Sequence, residues 1–390
     1  MSRPLDGILV VSLEQAIAAP YCSRQLADLG ARVIKVERPD GGDFARAYDT
    51  RVHGLSSHFV WTNRSKESLA IDVKQPRAIA ALRTLIDRAD IFIQNLAPGA
   101  ANRLGLGSGD LRAENSRLIT CSISGYGPDG PWENRKAYDL LVQAEGGFLS
   151  VTGTPEQMAK AGISIADIAA GTMALQGILG ALLHRERTGR GDHIEVSMLE
   201  AMAEWMGFPL NYSLDGAPPP PRAGAGHATI FPYGPYQTSD GAVLFGLQND
   251  REWASFAHIV LERHDWAEDE RFRGNSGRVS HRDEIDTVIR SVFEGLSTST
   301  AIARLDQASI GTARVNDMAA LWAHPQLKAR DRWGCVETPG GSIQALKPIS
   351  GDSWTPRLDA VPALGQHSEK ILQEIGVSPA DIQALTAGPS

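Results

Sequence analysis

Short apolar runs alternate with helical patterns through the first third of the chain, and this alternation narrows the possible folds more than any other feature. The runs ILVVSL, ARVIKVE, SLAIDV, DIFIQNL and LITCSIS are separated by stretches of helical spacing, with SRQLADLG and RAIAALRTLIDRA the clearest. Strands that recur with helices between them predict an α/β layer: a mostly parallel, Rossmann-like sheet with crossover helices. Ligands of such sheets bind at the carboxyl ends of the strands. The turns there read LEQAIAAP, ERPDGGDFAR, DVKQPR and QNLAPGAANR, and none contains G-x-G-x-x-G. The nearest glycine-rich candidate, GLGSGD at 105–110, follows a helix. A nicotinamide dinucleotide therefore lacks its expected phosphate loop.

A chain of 390 residues exceeds one small core. The proline- and glycine-rich DGAPPPPRAGAGH, 215–227, reads as a linker after a large domain over 1–214. A smaller α+β domain is expected over 228–316, with a hairpin in YGPYQTSDGAVLFGLQ turning at Ser-Asp-Gly and helices through EWASFAHIVLE and RDEIDTVIRSVFEGL. Residues 317–390 then read as a return segment, with a helix through SEKILQEIG completing the large domain.

A net charge of −8 and a pI near 5.7 give no general attraction to nucleic acid or to anionic membranes. MSRPLDGILVVSLEQ lacks a signal-peptide pattern and no run of 18 apolar residues occurs, which predicts a cytoplasmic location. Cys22, Cys121 and Cys335 are far apart and form no C-x-x-C, so each is expected to be a small core residue. The histidines form no H-E-x-x-H or other metal spacing, and no G-x-S-x-G is present. Neither a catalytic metal nor a tightly bound cofactor is expected.

The stretch GISIADIAAGTMALQGILGALLHRERTGRGD raises a different question, because Asp167 stands at the mouth of a long apolar run. Ser164 and Asp167 fit S-x-x-D, which makes Asp167 a capping residue of a buried helix. Gly171, Gly177 and Gly180 weaken that helix and call for close packing against a neighbour. The same place suits a carboxylate nucleophile, since the positive end of the helix dipole favours the ionised form against burial. Arg185, Arg187 and Arg190 read as a solvated helix end, and GGDFAR with Arg46 as either a surface turn or a phosphate approach. Arg38, Lys74, Arg103 and Lys136 each follow an expected strand or its loop. Converging at one sheet edge, they would suit a ligand with several phosphates.

With these residues in view, the chain resembles the family III CoA-transferases, the formyl-CoA transferase-like or CaiB/BaiF group. The resemblance rests on PLDGILVV, AAPYCSRQLADLGARVIKVERPDGGD, SLAIDVKQP, QNLAPGAANRLGLG, ITCSISGYGPDGP, YDLLVQAEGGFLSVTG, RERTGRGDHIEVSMLEA, ARVNDMAALWAHPQL and LGQHSEKILQEIG, in family order from end to end. It implies that Asp167 is the nucleophile, that an acyl-CoA donor and a carboxylic acid are the substrates, and that two chains interlock as a homodimer. It further implies CoA contacts from Ala18, Arg38, Ile71, Lys74, Asn95, Leu96, Arg103, Lys136 and Tyr138. Backbone N–H groups near the small-domain glycines are candidates for holding oxyanions.

Two departures bear on the substrate. Formyl-CoA transferases carry glutamine beside Ala18 where this chain has Ile17, and a glycine tetrad where it has GAGHATIFPYGPYQT. Oxalate and formyl-CoA are poorly supported. The GHATIFPYGPY form is similar to transferases that use succinyl-CoA and small dicarboxylates, for which His227, Tyr233 and Gly234 are candidate contacts alongside purely structural roles. The 2-methylacyl-CoA racemases of the same family use a histidine-aspartate pair, and here KAYDLL puts Tyr138 where that histidine would sit. Tyrosine titrates near 10, too high for a proton shuttle at neutral pH. A catalytically silent CoA-binding protein is the remaining alternative.

Overall fold

Six strands form one wholly parallel sheet in the order β3-β2-β1-β4-β5-β6. They are β1 (Leu9–Leu13), β2 (Arg32–Glu37), β3 (Lys66–Ala70), β4 (Ile91–Gln94), β5 (Ile119–Ser124) and β6 (His193–Ser197). The chain enters at the middle, builds to one edge, then crosses back to build the other. That reversal opens a crevice between the carboxyl ends of β1 and β4. Val10, Val11, Ile34, Phe92 and Ile93 are all buried. Cover on both faces is why these strands read as continuous apolar runs rather than alternating ones.

The computed structural model describes residues 2–386, in two compact units. The first takes the chain up to Gly146, Ala161–Gly207, and the chain from Gln326 onward. Its helices include α1 (Ala18–Asp28), α2 (Pro76–Asp87), α3 (Asp139–Glu145) and α4 (Ile165–Thr188). A proline opens α2, where its missing N–H is not needed, and the helix buries Ala78, Ala81, Leu82, Leu85 and Ile86. The returning chain covers the free edge of β3. Ser68 N–H donates to His367 Nδ1 at 3.1 Å and Ala70 N–H to Ser368 Oγ at 2.9 Å.

α4 holds the glycine-rich run and packs on α1, β5 and β6. By length and composition it could cross a bilayer, although its charges and glycines leave no run of 18 apolar residues; here it lies against that sheet. A Cβ at Gly171 would come within 2.5 Å of Ala18 O, and one at Gly177 within 2.7 Å of the Ile194 side chain. Both explain close packing. A Cβ at Gly180 would meet nothing within 4 Å, and the structure gives no reason for that glycine.

The second unit holds residues 147–160 and Phe208–Pro325. The expected hairpin forms from β7 (Tyr233–Thr238) and β8 (Gly241–Gly246), and β9 (Thr312–Arg314) adds a third antiparallel strand. Its core is aromatic, with Phe245, Phe256, Phe272 and Phe293 fully buried beside Trp253 and Trp266. The helix expected through EWASFAHIVLE is α-helical only over Asp250–Ser255 and continues as a π-helical turn, Phe256–Val260.

Four local expectations are corrected. Ser164 makes no side-chain cap to α4. Arg185 is buried and paired with Asp90 at 3.0 Å, so it is no solvated end. Arg46 is committed inward, bound to Glu37 and stacked over Phe59. Cys22 and Cys121 are buried as expected, but Cys335 is exposed on a hairpin.

Candidate active site

Asp167 stands where two helices begin. It lies in the first turn of α4, and its carboxylate accepts the backbone N–H of Ala18, the first residue of α1. Gly171, one turn further along α4, leaves room for this approach. The cap that Ser164 does not supply comes from α3: Asp139 Oδ1 accepts the N–H of Ala166 at 2.8 Å and that of Asp167 at 3.5 Å. Asp139 Oδ2 takes Gln143 Nε2 at 2.6 Å, and Gln143 Oε1 takes Ala161 N–H at 2.9 Å. Asp139 is thus locked in place beside the nucleophile candidate.

Burial pushes the Asp167 carboxyl up to about 7, the Asp139 charge pushes the same way, and the Ala18 N–H pulls back. The sequence led us to expect the positive end of its own helix to keep this group low. Desolvation and a like charge win instead. Tyr48 shares the neighbourhood: partial burial raises its phenol to about 12, and Asp43, Asp167 and Tyr138 add to the rise.

The residues implied for CoA lie on segments that leave the carboxyl ends of β1 to β5. Arg38 follows β2 and donates from Nε and Nη2 to Gly42 O at 3.2 and 3.1 Å. Lys74 and Lys136 are exposed on loops, and Arg103 ends a short helix after β4. Among the described residues none of these four cations has an ion-pair partner, whereas Arg32, Arg46 and Arg64 do. Ile71 is core. Leu96 N–H donates to Gln94 Oε1 at 2.8 Å, and Tyr138, 63% exposed, precedes α3. The Asn95 amide spans the crevice to Gln15, accepting its N–H and donating to its carbonyl, each at 2.9 Å.

A cavity of about 400 Å³ lies along β4, β5 and β6, lined by Gln94, Leu96, Ser122, Ser124, His193 and Glu195 among others; Asp167 does not line it. In the second unit the His227 and Tyr233 rings stack at 5.4 Å, and His227 N–H donates to Tyr233 O at 2.8 Å. His227 Nδ1 accepts the N–H groups of Thr229 and Ile230 at 3.2 and 3.0 Å, which leaves Nε2 to carry the proton. Gly234 passes Gly226 so closely that a Cβ would lie 3.1 Å from its Cα. Among the described residues no group of three metal-ligating side chains forms.

Sequence reasoning missed Asp139, Tyr48 and Asp43. Asp139 stood in the YDLL stretch, and Asp43 and Tyr48 in and just after GGDFAR, but nothing in their spacing pointed at Asp167.

Residues 5–368 match the model of CoA-transferase family III. The succinate–glutarate CoA-transferase of Agrobacterium fabrum is 33% identical to this chain, over 95% of the chain and 96% of the relative. A succinyl-CoA:mesaconate CoA-transferase of Haloarcula hispanica is 31% identical, over 96% of each. A crystal structure of a CaiB/BaiF family protein from Brucella suis superposes with a TM-score of 0.84 at 32% identity, covering 96% of this chain and 100% of that one. A parallel sheet in doubly wound order, a carboxylate at a helix start raised by burial and by a neighbouring Asp139, and agreement with these relatives over nearly the whole length lead to one assignment: the chain belongs to CoA-transferase family III.

Proposed function

We propose that this protein moves CoA from succinyl-CoA, or a similar acyl-CoA, to a small dicarboxylic acid through covalent intermediates on Asp167. The observation that carries this is the environment of Asp167: desolvated, held by the Ala18 N–H, and raised to about 7. A carboxylate of that basicity is a better nucleophile than one near 3.9, yet about half of it is ionised at neutral pH. Named relatives that work between succinyl-CoA and glutarate or mesaconate support the substrate class.

The steps balance without net proton transfer. An Asp167 oxygen attacks the thioester carbonyl; the C–S bond breaks, giving a mixed anhydride and CoA thiolate. The thiolate attacks the aspartyl carbonyl and expels the donor's carboxylate, leaving an aspartyl-CoA thioester. The acceptor carboxylate attacks that thioester and releases the thiolate. The thiolate then attacks the acceptor's own carbonyl in the new anhydride, freeing Asp167 and the product thioester. Water would hydrolyse both intermediates, so a desolvated setting protects them. Among the described residues Arg38, Lys74, Arg103 and Lys136 have no carboxylate partner, which suits them to the CoA phosphates.

The test is intact-protein mass spectrometry after mixing with succinyl-CoA and other acyl-CoA esters, with and without hydroxylamine. A hydroxylamine-labile adduct of CoA mass on Asp167 is expected. Absence of any adduct, with solvent deuterium entering the acyl α-carbon, would make Asp167 a proton carrier and the enzyme a racemase.

A further inference from the structure

Six buried or mostly buried charges lie beside the β1–α1 connection, and none of the steps above uses them. Ser12, Lys35 and Ser68 are register partners on β1, β2 and β3, a polar row across three neighbouring strands. Lys35 Nζ donates to Asp43 Oδ2 at 2.8 Å and to Glu14 Oε1 at 3.3 Å. Lys66 Nζ donates to the same Glu14 oxygen at 2.7 Å and to Asn63 Oδ1 at 3.0 Å. Glu37 binds Arg46 and accepts the Asp43 N–H at 3.0 Å. Three carboxylates thus face three cations. Apolar residues would stabilise such a place as well or better, since burying ions carries a large desolvation penalty. What the cluster supplies is a fixed geometry.

One carboxylate oxygen of this cluster reaches the loop before α1. Asp43 Oδ1 accepts the N–H of Ala16 at 3.0 Å and that of Ala45 at 2.9 Å. Ala16 has φ 62°, a left-handed conformation that is unfavourable for a residue with a Cβ. On the other side Asn95 grips Gln15 by both its backbone groups. Two residues beyond Ala16, the Ala18 N–H reaches Asp167. We infer that Asp43 is a positioning residue: anchored by Lys35 within the buried cluster, it holds Ala16 in its left-handed turn and so aims the Ala18 N–H at the Asp167 carboxylate. This deepens the proposed reaction and rests on Asp167 as its nucleophile.

The groups that face Asp167 are Asp139 from α3 and the phenol of Tyr48, itself in the field of Asp43 and Tyr138. Asp139, Tyr48 and Tyr138 are left unchanged in the test, and Ala16→Val leaves the Asp43 charge in place as well. The Asp167 carboxyl is titrated by ¹³C NMR in the full-length wild type, Asp43→Asn, Ala16→Val and the double variant Asp43→Asn with Ala16→Gly. Asp167→Asn identifies the signal. An amide in place of the Asp43 carboxylate can offer its oxygen to Lys35 or to Ala16 but not to both, which breaks the anchored hold on the loop. Losing the Ala18 N–H then removes a bond to the charged form, so the midpoint should move up by about one pH unit in Asp43→Asn and Ala16→Val. Transfer should slow by about tenfold or more, the scale of a small misplacement of a reacting group. Glycine tolerates φ above zero, so the double variant should regain part of the rate and return toward the wild-type midpoint.

A folded Asp43→Asn with wild-type midpoint and rate would overturn the inference, as would a double variant no better than the single one. If Asp43→Asn does not fold, Ala16→Val decides alone, since a β-branched residue cannot hold this φ and the buried ions are untouched. The titration needs no substrate. A wild type that forms no CoA adduct would therefore sink the transferase reaction while leaving the loop's control of Asp167 measurable.

Discussion

Asp139 holds Asp167 in place and opposes its charge at the same time. Its Oδ1 caps α4 through Ala166, while its negative charge adds to burial in raising the Asp167 carboxyl to about 7. Asp139→Asn separates the two effects, because an amide oxygen can still accept the cap. In the free enzyme kcat/KM for acyl-CoA should rise through an acid limb near pH 7 as Asp167 ionises. The variant's limb should lie lower. Facing amide donors at the Gln143 contact should cost it about 1–3 kcal/mol of stability. An unmoved limb would mean that the Asp139 charge is screened.

Asp167 also makes stability depend on pH. Its carboxyl sits near 7 in the folded chain, against about 3.9 when unfolded. Between those values the folded form keeps a proton that the unfolded form has released. The site's contribution is therefore fully present below about pH 4 and is lost as pH rises through 7. Asp167→Asn cannot ionise and escapes that loss. It should melt with the wild type near pH 4 and a few degrees above it at pH 8, the gain limited because Asp167 is only half-buried. It should also form no CoA adduct and transfer nothing. Turnover above a small percentage of wild type would remove Asp167 from the role of nucleophile.

Arg38 and Arg103 have no carboxylate partner among the described residues, and each leaves a donor face open to solvent. Replacing either with alanine should raise KM for acyl-CoA about tenfold, the scale of one hydrogen bond to a charged group. kcat should stay within about threefold. Raising the salt concentration should narrow the gap to wild type as the phosphate attraction is screened. A loss confined to kcat would place these arginines in the chemistry instead of on the phosphates.

The sheet was legible because its strands are buried on both faces, so ILVVSL and DIFIQNL announced themselves without alternation. The hairpin at Ser239 and Asp240 was legible through its turn residues. Asp167 was found through resemblance, and the helix start around it was half understood. S-x-x-D correctly marked the start of α4, but the capping oxygen comes from Asp139, 27 residues earlier in the chain. No local pattern can reveal a partner at that separation. The buried ions were invisible for the same reason: no local pattern links Glu14, Lys35, Asp43 and Lys66, and only the pairing of β1 with β2 and β3 and the loops that follow bring them together. Arg185 misled because its helix end lies against Asp90 rather than in water.

The glycines of α4 provide the sharpest structural test of how Asp167 is placed. A methyl group at Gly171 would press on Ala18 O at 2.5 Å and the Tyr21 ring at 3.1 Å, and carbonyl oxygen in a helix cannot yield as a side chain can. Gly171→Ala should therefore push α4 from α1, lower stability by about 1–3 kcal/mol and stretch the Ala18 bond to Asp167. Transfer should fall in the fraction that remains folded, and the acid limb of kcat/KM should move up, as the N–H that favours the charged form withdraws. Gly180→Ala is the contrast on the same helix. It meets nothing within 4 Å, so the gain in helix propensity should stand alone at about 0.5–1 kcal/mol of added stability. Thermal melts and pH-rate profiles of the two variants side by side check both expectations. Equal effects from the two alanines would mean that helix propensity, not the α1–α4 contact, governs this part of the site.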